Sequence, residues 1–270
     1  LYIYDYKENI AIHISKFDKR DAISDNYIFD VFKDVNGSVW IATFTGLNRF
    51  ENNLAKFITK SIYENGSLLS INYFLEMNDG NVLIGTESGI KVFNTNDESI
   101  RDFKTFFKSK ENYFESLYIY SFYLDTDSCL WVGTRDSGLY IYDIKSDKVI
   151  DVSEELDIKK LNHAVVREMV CDEFGNFWVA TNVGLCCINL KDNSYVFYNH
   201  DKKDKKSIPH DDIFDLMLSD DLLYVTTGDG LAVYDYNRED FTTYLLPDTL
   251  TKQDVVKNNG LFDIVEGQDG

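Results

Sequence analysis

The sequence predicts an all-β chain built from one unit of four antiparallel strands used several times over. Three observations predict it. A phrase recurs five times in register, no segment has a sustained helical period, and the composition favours strands, with 18 Tyr and 19 Phe against two Pro in 270 residues.

The phrase is an apolar strand, an acidic or Gly turn, an aromatic strand ending in Thr, a short gap, then Gly and another strand. It occurs as Ile28–Phe50, Ile71–Phe93, Ile119–Tyr142, Val166–Ile188 and Ile213–Tyr234. The anchoring residues Thr43, Thr86, Thr134, Thr181 and Thr227 are spaced by 43, 48, 47 and 46 residues. Asp34-Val35-Asn36-Gly37, Asn78-Asp79-Gly80 and Phe174-Gly175-Asn176 read as tight hairpin turns, with Gly supplying positive φ. The Asp-x-Asn-Gly stretch lacks the remaining ligand positions of a calcium loop, so a turn is the reading kept. Trp40, Leu83, Trp131, Trp178 and Tyr224 stand three residues before each Thr, where a large side chain packs between sheets. The residue before each Thr is small or short (Ala42, Gly85, Gly133, Ala180, Thr226), which predicts close approach of a neighbouring strand. The later Gly46, Gly89, Gly138, Gly184 and Gly230 fit a chain reversal. Fourth strands are expected over Leu54–Ile58, Ser99–Phe103 and Ser194–Tyr198.

Four antiparallel strands every 46 residues or so predict the blades of a β-propeller, here five complete repeats in a single region spanning 1–270. Leu1–Asp5 duplicates Leu139–Asp143, so the chain is expected to open at a third strand, with a partial blade over 1–20. Leu261–Gly270 matches a first strand plus hairpin turn, a second partial blade over 259–270. The reading is a fragment of a larger array, since an open array leaves sheet edges unprotected.

Composition narrows the function classes. With 27 Lys+Arg against 46 Asp+Glu the formal charge is −19, which argues against nucleic acid and against an anionic membrane surface. No run approaches the roughly 18 apolar residues of a spanning helix, and no leader pattern opens the chain. Cys129, Cys171, Cys186 and Cys187 lack CxxC spacing; the adjacent pair would be strained as a disulfide, while a Cys129–Cys171 bridge stays open.

The motif apolar-x-x-apolar-x-x-Asp-x-x-Gly-x-aromatic-[IV]-[AG]-Thr-x-x-Gly-Leu resembles the two-component regulator propeller repeat. The first copy carries it as Ile28, Val31, Asp34, Gly37, Trp40-Ile41-Ala42-Thr43 and Gly46-Leu47, behind the lead-in Ile23-Ser24-Asp25-Asn26. The fourth carries it as Val166, Met169, Asp172, Gly175, Trp178-Val179-Ala180-Thr181 and Gly184-Leu185. Leu83 replaces Trp in the second copy, Ser128 replaces the turn Gly in the third, and the fifth loses a turn residue and the Trp. The resemblance implies a seven-bladed parent and the extracytoplasmic sensor region of a bacterial sensor histidine kinase, including hybrid two-component systems that detect breakdown products of complex carbohydrates. It implies a periplasmic or extracellular location and a signal relayed to a kinase outside this sequence.

Strand alternation puts the loop entering each first strand and the Thr-to-Gly loop on one face. Candidate ligand-binding residues there are Tyr27, Phe44, Tyr120, Arg135, Asp136, His163, Asn182 and His210. Arg135 lies in the longest of these loops, where a guanidinium would clamp a carboxylate or a pair of sugar hydroxyls, and the aromatics would stack on a pyranose. Two histidines at matching positions make a weak metal site, and none is assigned. Asp30, Glu168 and Asp215, with Asp263, share one position of the first strands, and Tyr73 and Ser121 replace them elsewhere; they are expected to line a central channel. The expected function is non-enzymatic sensing of an oligosaccharide or other small ligand, without a cofactor, by a homodimer of the parent protein. The rival readings are a glycoside hydrolase or lyase using the channel carboxylates, and a protein-interaction scaffold. The Lys202–Lys206 run, interrupted by Asp204, reads as a solvated loop.

Overall fold

The computed structural model describes residues 1–5, 9–18, 22–51, 56–64, 66–77, 80–126, 128–245 and 260–265. Five four-stranded antiparallel sheets follow one another, each with its strands paired in chain order. The first comprises Ile28–Lys33, Val39–Thr43, Gly46–Glu51 and Lys56–Lys60. The second comprises Ile71–Glu76, Asn81–Thr86, Gly89–Asn94 and Ile100–Asp102. The third is Ile119–Leu124, Cys129–Thr134, Leu139–Asp143 and Lys148–Asp151. The fourth is Val166–Cys171, Asn176–Thr181, Gly184–Asn189 and Tyr195–Tyr198. The fifth is Ile213–Ser219, Leu222–Thr227, Gly230–Asp235 and Asp240–Tyr244.

The anchoring threonines do one job five times. Each is buried, and its Oγ1 donates to the carbonyl of the loop glycine that follows, at 2.9, 2.8, 2.8, 2.6 and 2.8 Å in chain order. The loop is thereby closed from inside, and the third strand leaves at a fixed angle. Gly138 shows why glycine ends it: φ is +78°, and a Cβ would lie 2.4 Å from the Leu161 carbonyl. The short residue before the Thr has the expected cause in the second sheet, where a Cβ on Gly85 would already press Ile119 at 3.1 Å.

The recurring turn Asp has a partner that spacing alone does not reveal. Trp40 Nε1 donates to Asp34 Oδ2 and Trp178 Nε1 to Asp172 Oδ2, both at 2.9 Å. The other oxygen of each caps the turn, accepting from Asn36 and Ser38 N–H groups in one case and Phe174 and Asn176 in the other. Asp125 and Trp131 repeat the spacing, yet Trp131 Nε1 is buried and meets no acceptor among the described residues.

Tyr2–Asp5 pairs with Ile10–His13 in the register of a third and fourth strand, Tyr2 facing His13 as Tyr140 faces Asp151. Residues 260–265 form no ladder; the hairpin turn expected after them lies outside the described residues, as do Asn78 and Asp79. The predicted strand Leu54–Ile58 is found at Lys56–Lys60, with 54 and 55 outside the described residues. Two short helices, Phe103–Phe107 and Val152–Glu155, follow fourth strands and are too short to show a helical period. All four cysteines are free thiols, so the Cys129–Cys171 bridge is not formed.

The chain divides into two compact units, Leu1–Phe122 with Ile144–Asp147, and Tyr123–Asp143 with Lys148–Gly270. In the first unit one cluster joins the first and second sheets through Trp40, Leu47, Ile71, Ile84 and Phe93. In the second, Trp131, Val166 and Phe177 pack the third sheet on the fourth, and Trp178, Leu185, Ile213 and Tyr234 pack the fourth on the fifth. The three tryptophans that stand three residues before the Thr therefore lie between sheets, as their spacing predicts.

Candidate ligand site on the loop face

In three sheets the Thr-to-Gly loop is tied to the segment entering the first strand. Phe44 N–H donates to Tyr27 O at 3.2 Å, Asn182 to Val165 at 3.3 Å, and Gly228 to Asp212 at 2.9 Å. The two kinds of loop thus share a face, as alternation requires.

In the first unit this bond brings Tyr27 and Phe44 together, both exposed, at 72% and 51%. Beneath them Asp25 is buried, accepting from Tyr27 N–H at 3.0 Å and pairing with Lys16 Nζ at 2.9 Å. Burial alone would raise the Asp25 carboxyl, but these bonds outweigh it and hold the group below its usual value. Tyr120 is half-buried and meets Tyr118 edge-on at 5.3 Å.

In the second unit Arg135 and Asp136 are exposed, and His163 Nδ1 donates to the Asp136 carbonyl at 3.1 Å. Asn182 Oδ1 accepts from Val165 N–H at 2.9 Å. His210 Nδ1 accepts from Asp212 N–H at 2.9 Å, and its ring lies where a Cβ on Gly228 would approach to 2.8 Å. The two histidines, matched in sequence, thus buttress different loops and use ring nitrogens on the backbone.

Two of the carboxylates at the third position of the first strands, Asp30 and Asp215, reach beyond their own strand. Asp30 accepts from its neighbour Val31 N–H at 2.7 Å and from Phe74 N–H of the second sheet at 2.8 Å. Asp215 repeats this with Leu216 at 2.8 Å and Ile264 at 3.0 Å, and Glu168 accepts from Met169 at 2.9 Å. Each of the three sits beside a β-bulge, which takes N–H groups off the ladder and leaves them for a side chain. Tyr73, at the same position, is half-buried against Phe122. Burial, with a hydrogen bond that the protonated Asp215 carboxyl donates to Asp263, pushes Asp215 up to about 7.

The bulge also turns the residue at position two onto the loop face. Asn72 Nδ2 donates to Ile119 O at 3.1 Å, and Arg167 donates to Ile213 O at 2.8 Å, each the first residue of the next first strand. Arg167 also pairs with Asp212 at 2.6 Å and lies over Phe214 at 4.7 Å, while Phe262 packs on Phe214 with centroids 4.6 Å apart. Phe262 is 63% exposed. An ion pair beside an open aromatic face suits a polyol, whose C–H face stacks while its hydroxyls take both charges. Sequence reading missed Arg167, Phe214 and Phe262. Their signal is position two of the repeat, which holds Phe29, Asn72, Tyr120, Arg167, Phe214 and Phe262 while position one stays apolar throughout.

Comparison with known proteins fits this architecture. The extracellular domains of two hybrid two component systems from B. thetaiotaomicron superpose with TM-scores of 0.65 and 0.66 at 20% and 22% identity. They match 82% and 87% of this chain, which spans only 29% and 32% of theirs. Virginiamycin B lyase from Staphylococcus aureus superposes at 0.57 with 12% identity, over 83% of this chain and 71% of the lyase. A search of the curated proteins returns no match. The fold is a β-propeller of four-stranded blades. The family model of the two component regulator propeller matches residues 22–45 and 113–136, and in those two segments the chain is similar to that repeat.

Proposed function

We propose that this chain is the ligand-sensing propeller of a bacterial two-component sensor. It works on the periplasmic or extracellular side, takes a carbohydrate-derived ligand on its loop face and passes the signal to a kinase elsewhere in a dimeric parent. The observation that carries the reading is the coincidence of regulator-propeller repeats with likeness to extracellular domains of hybrid two component systems. Within the second unit, Arg167, Asp212, Phe214 and Phe262 are the residues assigned to the ligand. Asp30 and Asp215 serve as strand clamps, which supports binding over glycan cleavage, since each already accepts two backbone N–H groups.

The test is a thermal-shift screen of oligosaccharides followed by chromatography of the recovered sugar. A ligand at 100 times its dissociation constant should add about 2.7 kcal/mol of stability. The reading expects a concentration-dependent shift, the sugar returned intact, and loss of the shift in Phe262→Ala. A cleaved sugar would establish the enzyme instead, and a shift unchanged in Phe262→Ala would move the site.

A further inference from the structure

The run Lys202–Lys206 is exposed, as a solvated loop should be, and it is also tightly wound. Its sequence Asp201-Lys202-Lys203-Asp204-Lys205-Lys206-Ser207 uses one triplet twice, and the backbone turns twice with it. Asp204 N–H donates to Asp201 O at 3.0 Å, and Ser207 N–H donates to Asp204 O at 3.1 Å. Each Asp caps its own turn: Asp201 Oδ1 accepts from Lys203 N–H and Asp204 Oδ1 from Lys206 N–H, both at 2.9 Å. Ser207 Oγ donates to the Asp204 carbonyl at 2.8 Å, and His200 Nδ1 closes the neck on Ile208 O at 2.8 Å. Lys202 and Lys205 therefore hold the same place in two consecutive, internally bonded turns.

Between this loop and the last strand of the fifth sheet, Asp240–Tyr244, lies a groove of about 590 Å³. Two contacts tie loop to strand: Thr243 Oγ1 donates to Ser207 O at 3.3 Å, and Lys206 Nζ pairs with Asp240 at 2.6 Å. Lys202, Lys205, Lys206 and Arg238 line the groove, and Lys203 does not. Four carboxylates stand in the same wall. Asp240 is shared by Lys206 and Arg238, at 2.6 and 3.5 Å. Asp201 and Asp204 are turned onto the backbone of their own turns, and Asp229 belongs to the Thr-to-Gly loop. Lys202 and Lys205 make no ion pair among the described residues. In a chain of net charge −19, two such ammonium groups beside a groove are a local exception to a field that repels anions.

The chain itself uses the equivalent place on the two preceding sheets. Ahead of the third, Ser109 Oγ and Lys110 N–H donate to the Asp147 carboxylate at 2.7 and 2.9 Å, and the Tyr113 hydroxyl to its carbonyl at 3.0 Å. Ahead of the fourth lies a smaller recess, about 350 Å³, lined by Lys160 and Phe197. That ammonium lies over the Phe197 ring at 4.9 Å and donates to Asn199 at 2.5 Å. At the fifth sheet the place is larger and two of its cations are left over.

We propose that this groove is a binding site for a small dianion, one acid group on Lys202 and the other on Lys205 a turn further on. A lysine is a point charge without a fixed fork, so the shared chemistry is two acid groups on one short backbone. An acidic disaccharide and a free dicarboxylate both carry it, and a groove of this volume admits either. The site shares no residue with Arg167, Asp212, Phe214 and Phe262, and it does not depend on the sensing role.

The test is a thermal-shift titration of the intact chain at fixed ionic strength with digalacturonate and with adipate. Lactose and hexanoate are the controls, the first uncharged and the second carrying one acid group. The expected result is a saturable rise in melting temperature with a dianion and none with either control. The tighter of the two dianions names the source. Lys202→Gln and Lys205→Gln, exposed and outside any ion pair, should each weaken the apparent affinity roughly tenfold. Lys203→Gln, in the same turns but off the groove, should leave it within about twofold. No saturable shift with either dianion, an equal shift with hexanoate, or an unaltered response in Lys202→Gln and Lys205→Gln would each overturn the proposal. So would an equal loss in Lys203→Gln, which marks diffuse charge in place of a site.

Discussion

Trp40 and Trp178 occupy the same position of the repeat, hold the same bond to a turn aspartate, and face an aromatic ring of the next sheet. Around Trp40 the chain supplies Arg49 and Lys60 and ties them to Glu98. Around Trp178 it supplies Cys187 and Tyr198 and leaves Glu239 open. The difference teaches that the frame and its filling are set by separate residues. The Thr hydroxyl, the loop glycine and the Asp–Trp pair fix where the strands go, and they recur. Third-strand and fourth-strand positions facing the Trp are free to vary, and with them the chemistry of the junction.

If the frame is common, truncating either Trp should cost alike. Trp40→Ala and Trp178→Ala should each destabilise their unit by about 3–5 kcal/mol, read from urea unfolding, since both are buried to within 2%. A loss below about 1 kcal/mol at one of them would break the equivalence.

Asp215 sharpens the comparison through pH. Asp215 is raised to about 7 by burial and Asp263, so the folded chain keeps a proton that the unfolded chain has released from about pH 4 upward. Stability from this group is therefore greatest at low pH and falls as pH rises through that interval. Asp215→Asn should remove about 1–2 kcal/mol of that fall, as the difference between wild-type and variant stability across pH 4 to 7; identical slopes would show that the carboxyl ionises freely.

Much of the fold is legible in the residues, because a phrase repeated in register averages out local ambiguity. Thr43 to Thr227 mark every second strand, and Leu1–Asp5 announces a third strand by identity with Leu139–Asp143. The site is less legible. Alternation correctly puts Tyr27 beside Phe44, and His163 beside Asp136, on one face. It does not foresee the bulge, which turns Arg167 and Phe214 onto that face and leaves Asp30 and Asp215 to clamp backbone N–H groups. A bulge shifts the two-residue period by one, so every inference drawn from parity changes at that point.

The third sheet offers a contrast of hydrogen bonding. Trp178→Phe leaves Asp172 short of a donor and should cost about 1–2 kcal/mol, whereas Trp131→Phe removes a buried, unpartnered N–H and should cost less than about 0.5 kcal/mol. Equal losses in paired unfolding curves would show that Trp131 finds an acceptor in solution.

The carboxylates give the smallest difference. Glu98→Gln should lose about 0.5–1 kcal/mol that vanishes in high salt, because its pairs with Arg49 and Lys60 are partly exposed. Glu239→Gln should leave stability within about 0.3 kcal/mol of wild type, with no cation to lose. A salt-sensitive loss at Glu239 would mean that the chain already supplies a partner there.

The most direct measurement is a pair of double-mutant cycles, Asp34→Asn with Trp40→Phe and Asp172→Asn with Trp178→Phe, read from urea unfolding. The account predicts that the two coupling energies agree within about 0.5 kcal/mol although different side chains fill the two junctions. A coupling present at one pair and missing at the other would contradict it.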